Sequence, residues 1–243
     1  MVKIECRAVL LDIEGTVSPV AFVYDVMFPY IRQQVNDFLA NNWDDAKVQQ
    51  AVVLVGQDIG AADHQAWLGT GEATTQQAKV TSAVHDLMDR DAKVTGLKQL
   101  QGLIWKNGFG SGKLVAELFP DVLSALKDWR AAGLQLFIYS SGSIGAQKLF
   151  FGHTIEGDLL DMFVDHFDTT SGNKKEAASY QTISESMGLP ANEICFISDV
   201  VAELDAAKAT GMQTVLRPAA DLSQFGGHDT IESFAELQFG VPA

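Results

Sequence analysis

The chain has 243 residues, of which 47% are hydrophobic, so it can bury a sizeable core as one large domain or as one domain carrying an insertion. Its 31 acids against 17 bases give a net charge of −14, which argues against nucleic acid or an anionic membrane as a partner engaged through the overall field. No apolar run approaches a transmembrane length and no leader pattern opens the chain, so a soluble cytoplasmic protein is expected, with Cys6 and Cys195 as buried thiols rather than a disulfide framework.

The first element is an apolar run, Ala8-Val9-Leu10-Leu11, that ends in Asp12-Ile13-Glu14-Gly15-Thr16. It reads as a buried strand delivering Asp12 to its carboxyl end, with Glu14 on the same side. Two carboxylates there suit a hard cation, or a nucleophile and an acid/base; the plainer reading is a polar strand end at a turn. From residue 21 to 106 the periodicity is helical throughout. Apolar positions from Phe22 to Leu39 share a stripe, with Pro29 kinking that helix or starting a second one. Further helices are expected over Asp44 to Gln57 and Thr74 to Asp91, and a shorter one through Leu97 and Trp105. Gly60 to Gly71 reads as loop, and Gly108-Phe109-Gly110-Ser111-Gly112 as a hinge or turn.

From Pro120 the pattern alternates. A helix through Val122 and Trp129 precedes a strand, Leu134 to Tyr139, that runs into Ser140-Ser141-Gly142-Ser143. Helix through Ala146 to Phe151, strand from Phe163 to Phe167 and helix from Lys174 to Met187 follow. The strand Ile194 to Ile197 delivers Ser198-Asp199, a helix runs from Val201 to Thr210, and Gln213 to Leu216 reads as the last strand, ended by Arg217-Pro218. Strand and helix in this alternation predict an α/β fold with a doubly wound parallel sheet. Such a sheet brings Asp12, Ser140, Ser141 and Asp199 to one edge. Asp12 and Asp199 would share a cation there, although Asp199 also suits an N-cap. The serine turn suits an anion, through hydroxyls and helix-start amides. A lysine at the start of a helix works against the dipole, so Lys174 or Lys175 is expected to serve something else, or to be a solvated pair.

The ordered set Asp-x-Glu-Gly-Thr, strand-Ser-Ser-Gly-Ser, Gly-x-Lys and Ser-Asp-x-x-x-Glu resembles the four motifs of haloacid-dehalogenase-like phosphatases. The chain is more closely similar to the acireductone-forming enolase-phosphatase branch of methionine salvage. Phe28-Pro29-Tyr30, Leu100 to Trp105, Ala146-Gln147-Lys148-Leu149, Phe167-Asp168-Thr169 and Ser179-Tyr180 carry that similarity, as does Glu14, where most of the superfamily has Asp. The resemblance implies a core of residues 1–20 and 107–243 and an inserted helical cap of residues 21–106. It implies Asp12 as nucleophile and magnesium ligand, and Glu14 as acid/base with its carbonyl on the metal. Ser140, Ser141 and Lys174 would hold the phosphate, Asp199 would complete the Mg2+ site and Glu203 would support it. The implied substrate is a phosphorylated diketone, 2,3-diketo-5-methylthiopentyl-1-phosphate, handled by a monomer. The rivals are a phosphatase of another small phosphoester and, from another class, a sugar-phosphate sensor. The enolisation base stays open between Glu14 and an acid of residues 21–106 such as Asp89 beside Arg90, itself a candidate surface pair.

Overall fold

The structure, a computed structural model, describes residues 1–217 and 227–240. It divides into two compact units, Met1–Val23 with Val115–Ala243, and Tyr24–Leu114.

The first unit is built on six parallel strands. Ala8–Leu11 is β2, Gln135–Tyr139 β3, Asp165–Phe167 β4, Ile194–Ser198 β5, Gln213–Leu216 β6 and Asp229–Thr230 β7, in spatial order β4-β3-β2-β5-β6-β7. Strand β2 is central and buried along its whole length, as its unbroken apolar sequence requires. The register pairs Leu11 with Ile138 of β3 and with Ile197 of β5. The residues that follow, Asp12, Tyr139-Ser140 and Ser198-Asp199, therefore leave the sheet side by side. The chain moves from β2 outward through β3 and β4, then returns to the other side of β2 as β5. That reversal is the switch point at which open α/β sheets hold ligands.

Helices α6 (Val122–Ala131), α7 (Ile144–Gly152), α8 (Ala177–Met187) and α9 (Val201–Lys208) connect the strands. One core cluster joins Leu10, Phe137, Tyr139, Phe196 and Leu216 of the sheet to Tyr180 and Ile183 of α8 and Leu204 of α9. Gln213 to Leu216 is not the last strand. β7 follows it, and a separate two-stranded parallel sheet pairs β1 (Val2–Glu5) with β8 (Leu237–Gly240). These additions are short, and β1 alternates buried with exposed positions over only four residues, too little to stand out in the sequence. Pro218 lies outside the described residues.

The second unit is helical: α1 (Phe28–Asn42), α2 (Ala46–Asp58), α3 (His64–Leu68), α4 (Ala73–Asp89) and α5 (Thr95–Gly110). Pro29 sits in the first turn of α1, where its missing N–H costs nothing, and a wider helical turn over Phe22–Met27 leads into it. The stretch expected as loop contains α3, capped by Asp63, whose carboxylate accepts from the Ala66 amide at 2.8 Å. The expected hinge or turn at residues 108–112 is a turn only at Ser111-Gly112, where Gly112 takes φ +71°. Helix α5 runs through Gly108 and Gly110, and a Cβ on Gly108 would lie 2.7 Å from Tyr30 and 2.8 Å from Leu114. Gly108 is there for close packing, not for bending. Gly96 does the same for α2: its Cβ would meet the Val55 nitrogen at 2.3 Å. Ile31, Val52, Val55, Val84, Leu100 and Ile104 form this unit's core. Asp89 pairs with Arg32, not Arg90, at 2.6 Å on the surface, so the solvated-pair reading holds with a different partner. Among the described residues no helix is long and apolar enough to cross a membrane.

Candidate active site

Asp12 follows β2 directly and its amide donates to Ile197 O at 3.0 Å, which fixes it against β5. It is 3% exposed. The chain then turns tightly: Ile13 O accepts from the amides of Thr16, Val17 and Ser18, and Gly15 donates to Ser18 O. Gly15 takes φ +77°, a left-handed conformation open to glycine at little cost. A Cβ here would lie 2.1 Å from Asp199 Oδ2, so the Asp199 carboxylate packs on the backbone of this turn.

Lys174 is the centre of the charge arrangement. Its ammonium, 5% exposed, reaches Asp12 Oδ1 at 2.5 Å and Glu203 Oε2 at 2.6 Å. Burial alone would depress its pKa, but the two carboxylates outweigh burial and hold it above the ordinary lysine value. The local structure differs from expectation. Lys174 does not open a helix; α8 starts at Ala177, and Lys174 lies in a turn before it. Gly172, at φ +126°, makes that turn, and Asn173 Oδ1 accepts from the Lys175 amide at 3.0 Å. Three hydroxyls grip its carbonyls: Tyr139 on Gly172 O, Ser179 on Asn173 O and Tyr180 on Lys174 O. Lys175 is exposed. Lys174 therefore opposes no helix dipole, and its burial against Asp12 and Glu203 fits the expectation of a lysine with another task.

Glu14 is half-buried, and its Oε2 accepts from Ser140 Oγ at 3.0 Å. Burial and the neighbouring Asp12 charge raise its pKa, against the lowering influence of Lys174 and Ser140. Asp199 is pushed up to about 7, by burial first and then by Asp12 and Glu203. Glu203 is also raised, mainly by burial, and accepts from Ser198 Oγ at 3.1 Å. Asp199 does not cap α9; that position falls to Val200, without a side-chain bond.

The serine turn differs in detail from a free anion cradle. Ser140 is buried, with Oγ bonded to Glu14 and accepting from the Gly142 amide. At the start of α7 the Ile144 amide donates to Asp168 Oδ2 and the Ala146 amide to Ser143 Oγ. Those amides are committed within the protein. Ser141 is exposed at the tip of the turn. Gln147 and Asp168, which brace the turn, lie in stretches that carry the family resemblance, but sequence reasoning gave them no part. A buried polar residue on α7 was the available signal.

The donor set fits a hard divalent cation. Asp12 and Asp199 are close enough to repel, and such repulsion is relieved by a cation held between carboxylate oxygens. Among the described residues no group of three or more acidic, imidazole or thiol side chains forms a cage on its own.

The family model of haloacid dehalogenase-like hydrolases matches residues 6–211. Enolase-phosphatase E1 of Pseudomonas aeruginosa (strain LESB58) is 44% identical over 231 residues, covering 95% of this chain and 97% of that protein. Enolase-phosphatase E1 of Aquifex aeolicus (strain VF5) is 40% identical over 232 residues, covering 96% and 99%. Among solved structures, the UTR4 protein of Saccharomyces cerevisiae aligns with a TM-score of 0.78 at 31% identity, over 96% of this chain and 100% of that one. With identity of this order running almost end to end in both partners, the chain belongs to the enolase-phosphatase E1 family of haloacid dehalogenase-like hydrolases.

Proposed function

We propose that the chain is a magnesium-dependent enolase-phosphatase of methionine salvage. It would convert 2,3-diketo-5-methylthiopentyl-1-phosphate to the acireductone 1,2-dihydroxy-3-keto-5-methylthiopentene and phosphate, as a cytoplasmic monomer. The observation that carries this reading is Glu14. A glutamate two residues after the strand-end aspartate, with its pKa raised and its carboxyl tied to Ser140, supplies a proton source beside Asp12.

In the first step an Asp12 carboxylate oxygen attacks phosphorus. The bond from phosphorus to the ester oxygen breaks, and Glu14 gives its proton to that oxygen. In the second, water attacks the phosphoryl group on Asp12, Glu14 takes the water's proton, and the bond from phosphorus to Asp12 breaks. Lys174 offsets the repulsion between Asp12 and the phosphate dianion, and Ser140 and Ser141 orient the phosphate. Asp12, the Glu14 carbonyl and Asp199 would hold magnesium, which supplies charge neutralisation at the phosphate and polarises the dicarbonyl. Glu203 and Ser198 keep Lys174 in place. The helical unit is assigned the part of a cap that excludes water while the phosphoryl group is on Asp12. Glu14 is also assigned as the base that removes the carbon-bound proton before phosphate leaves.

The test follows enol absorbance and phosphate release together in single turnover. The wild-type protein is expected to show an enol signal followed by phosphate. Asp12→Asn is expected to form the enol without releasing phosphate, and Glu14→Gln to lose most of both. Phosphate release with no enol signal would make the chain a phosphatase of another small phosphoester. Build-up of the phosphorylated enol by Glu14→Gln at the wild-type rate would remove Glu14 as the enolisation base.

A further inference from the structure

Helix α7 carries a buried side chain to which the mechanism above gives no part. Gln147 is 2% exposed, and its Nε2 donates to Gly142 O at 2.8 Å and to Phe167 O at 2.8 Å. Gly142 belongs to the serine turn; Phe167 is the last residue of β4. A side-chain amide that faces two carbonyl oxygens must present its nitrogen to them, because its oxygen would be repelled by both. Asp168 does the complementary work with acceptors. Its Oδ2 takes the Ile144 amide at 3.0 Å, and its Oδ1 takes the Thr170 amide at 2.9 Å and hydroxyl at 2.6 Å. The turn is thus fastened by a donor on one side and an acceptor on the other, both referred to the end of β4.

We propose that Gln147 is a positioning residue for the phosphate group. By gripping Gly142 O and Phe167 O, it sets the Ser140–Ser143 turn in its binding conformation before phosphate arrives. The inference rests on the reading of that turn as the phosphate cradle. Without Gln147 the turn keeps its bonds to Glu14 and Asp168 but loses the grip on Gly142 O, and binding would have to order that part of it. Donors already in place lose no such freedom when the anion enters. The same turn would hold phosphate in substrate and in product, so loosening it should weaken both together. A packing role alone would instead lower thermal stability and the active fraction.

The experiment compares wild type with Gln147→Met, which fills similar volume without a donor, and Gln147→Glu, which turns an acceptor toward the two carbonyls. KM for the diketo phosphate and the inhibition constant of inorganic phosphate are expected to rise together in Gln147→Met by about ten-fold, the scale of losing one or two hydrogen bonds. The change in kcat should stay within about three-fold, and Gln147→Glu should lose more on both binding constants. Unchanged KM and phosphate inhibition, with only kcat or Tm reduced, would overturn the proposal. A measurement on the wild type covers the case where the variants do not fold: the Gly142 and Ile144 amides should resist hydrogen exchange before phosphate is added. Free exchange until phosphate binds would also overturn it. A wild-type enzyme that inorganic phosphate does not inhibit would bring down the cradle reading itself, and this proposal with it.

Discussion

Replacing Gly15 with alanine tests how the two halves of the acidic site are held together. The added Cβ would stand 2.1 Å from Asp199 Oδ2 and 2.5 Å from its Cγ, whereas ordinary contacts begin near 3.4 Å. The carboxylate must retreat by about an ångström, a displacement that typically costs about 100-fold in rate when it moves a catalytic group. The backbone adds its own term, since a non-glycine residue at φ +77° costs about 1–3 kcal/mol, or about 3–9 °C in Tm for a chain of this size. The assay measures kcat across a magnesium titration and Tm by calorimetry, for Gly15→Ala, Asp199→Ala and the double variant. Gly15→Ala is expected to need more magnesium and to reach a lower rate at saturation. In the double variant the loss of rate should be far from additive, because the alanine has no carboxylate left to displace. Wild-type magnesium dependence in Gly15→Ala, or fully additive losses in rate, would refute the argument.

Lys174→Met should lower stability by about 3–5 kcal/mol, because it leaves Asp12 and Glu203 buried without their shared cation, and it should abolish turnover. The exposed Lys175→Met should stay within about 0.5 kcal/mol and near wild-type activity; equal losses in the two variants would contradict this placement of the phosphate lysine. A third expectation concerns acid stability. Burial alone would raise the pKa of Asp121, but bonds from Arg217, the Phe234 amide and Ser233 outweigh it and hold the carboxyl below its ordinary 3.8. The stabilisation is therefore present above that ordinary value and is lost as pH falls through the lower, folded pKa. Urea midpoints of wild type and Asp121→Asn should differ at pH 6 and converge below pH 3.8, and a gap that stays constant would show that the charge is not what matters.

The parts of the sheet that hold the site were legible because they are physically extreme. Ala8–Leu11 and Ile194–Ser198 are buried at every position, so their sequences are unbroken apolar runs ending in a polar residue. Parallel pairing then leaves little choice about where Asp12, Ser140 and Asp199 emerge. What was missed depends on tertiary contact. Gly108 and Gly110 look like a break, but Gly108 is required by the Tyr30 ring packed against it inside a continuous helix. Lys174 looks like the start of α8, because helical periodicity does not register the positive φ at Gly172 or the three hydroxyls that hold the turn. The Glu14–Ser140 bond joins residues 126 apart in the chain, and no spacing rule reports it.

The crowding of acids around one lysine also bears on the glutamate at position 14. Asp12, Glu203 and Lys174 form a buried chain in which one ammonium serves two carboxylates. Glu14 and Asp199 make no ion pair with that lysine, and burial and Asp12 raise the pKa of both against its lowering influence. A group pushed this way keeps its proton closer to neutral pH than a free carboxyl does. For Asp199 the repulsion is what a divalent cation would relieve. For Glu14, hydrogen-bonded to Ser140 on the neighbouring strand end, the same shift would suit the proton-transfer role proposed above. The longer side chain lets the carboxyl reach the serine turn while its backbone stays in the tight turn after Asp12. One repulsive cluster would thus prepare both the proposed cation site and the proposed proton donor.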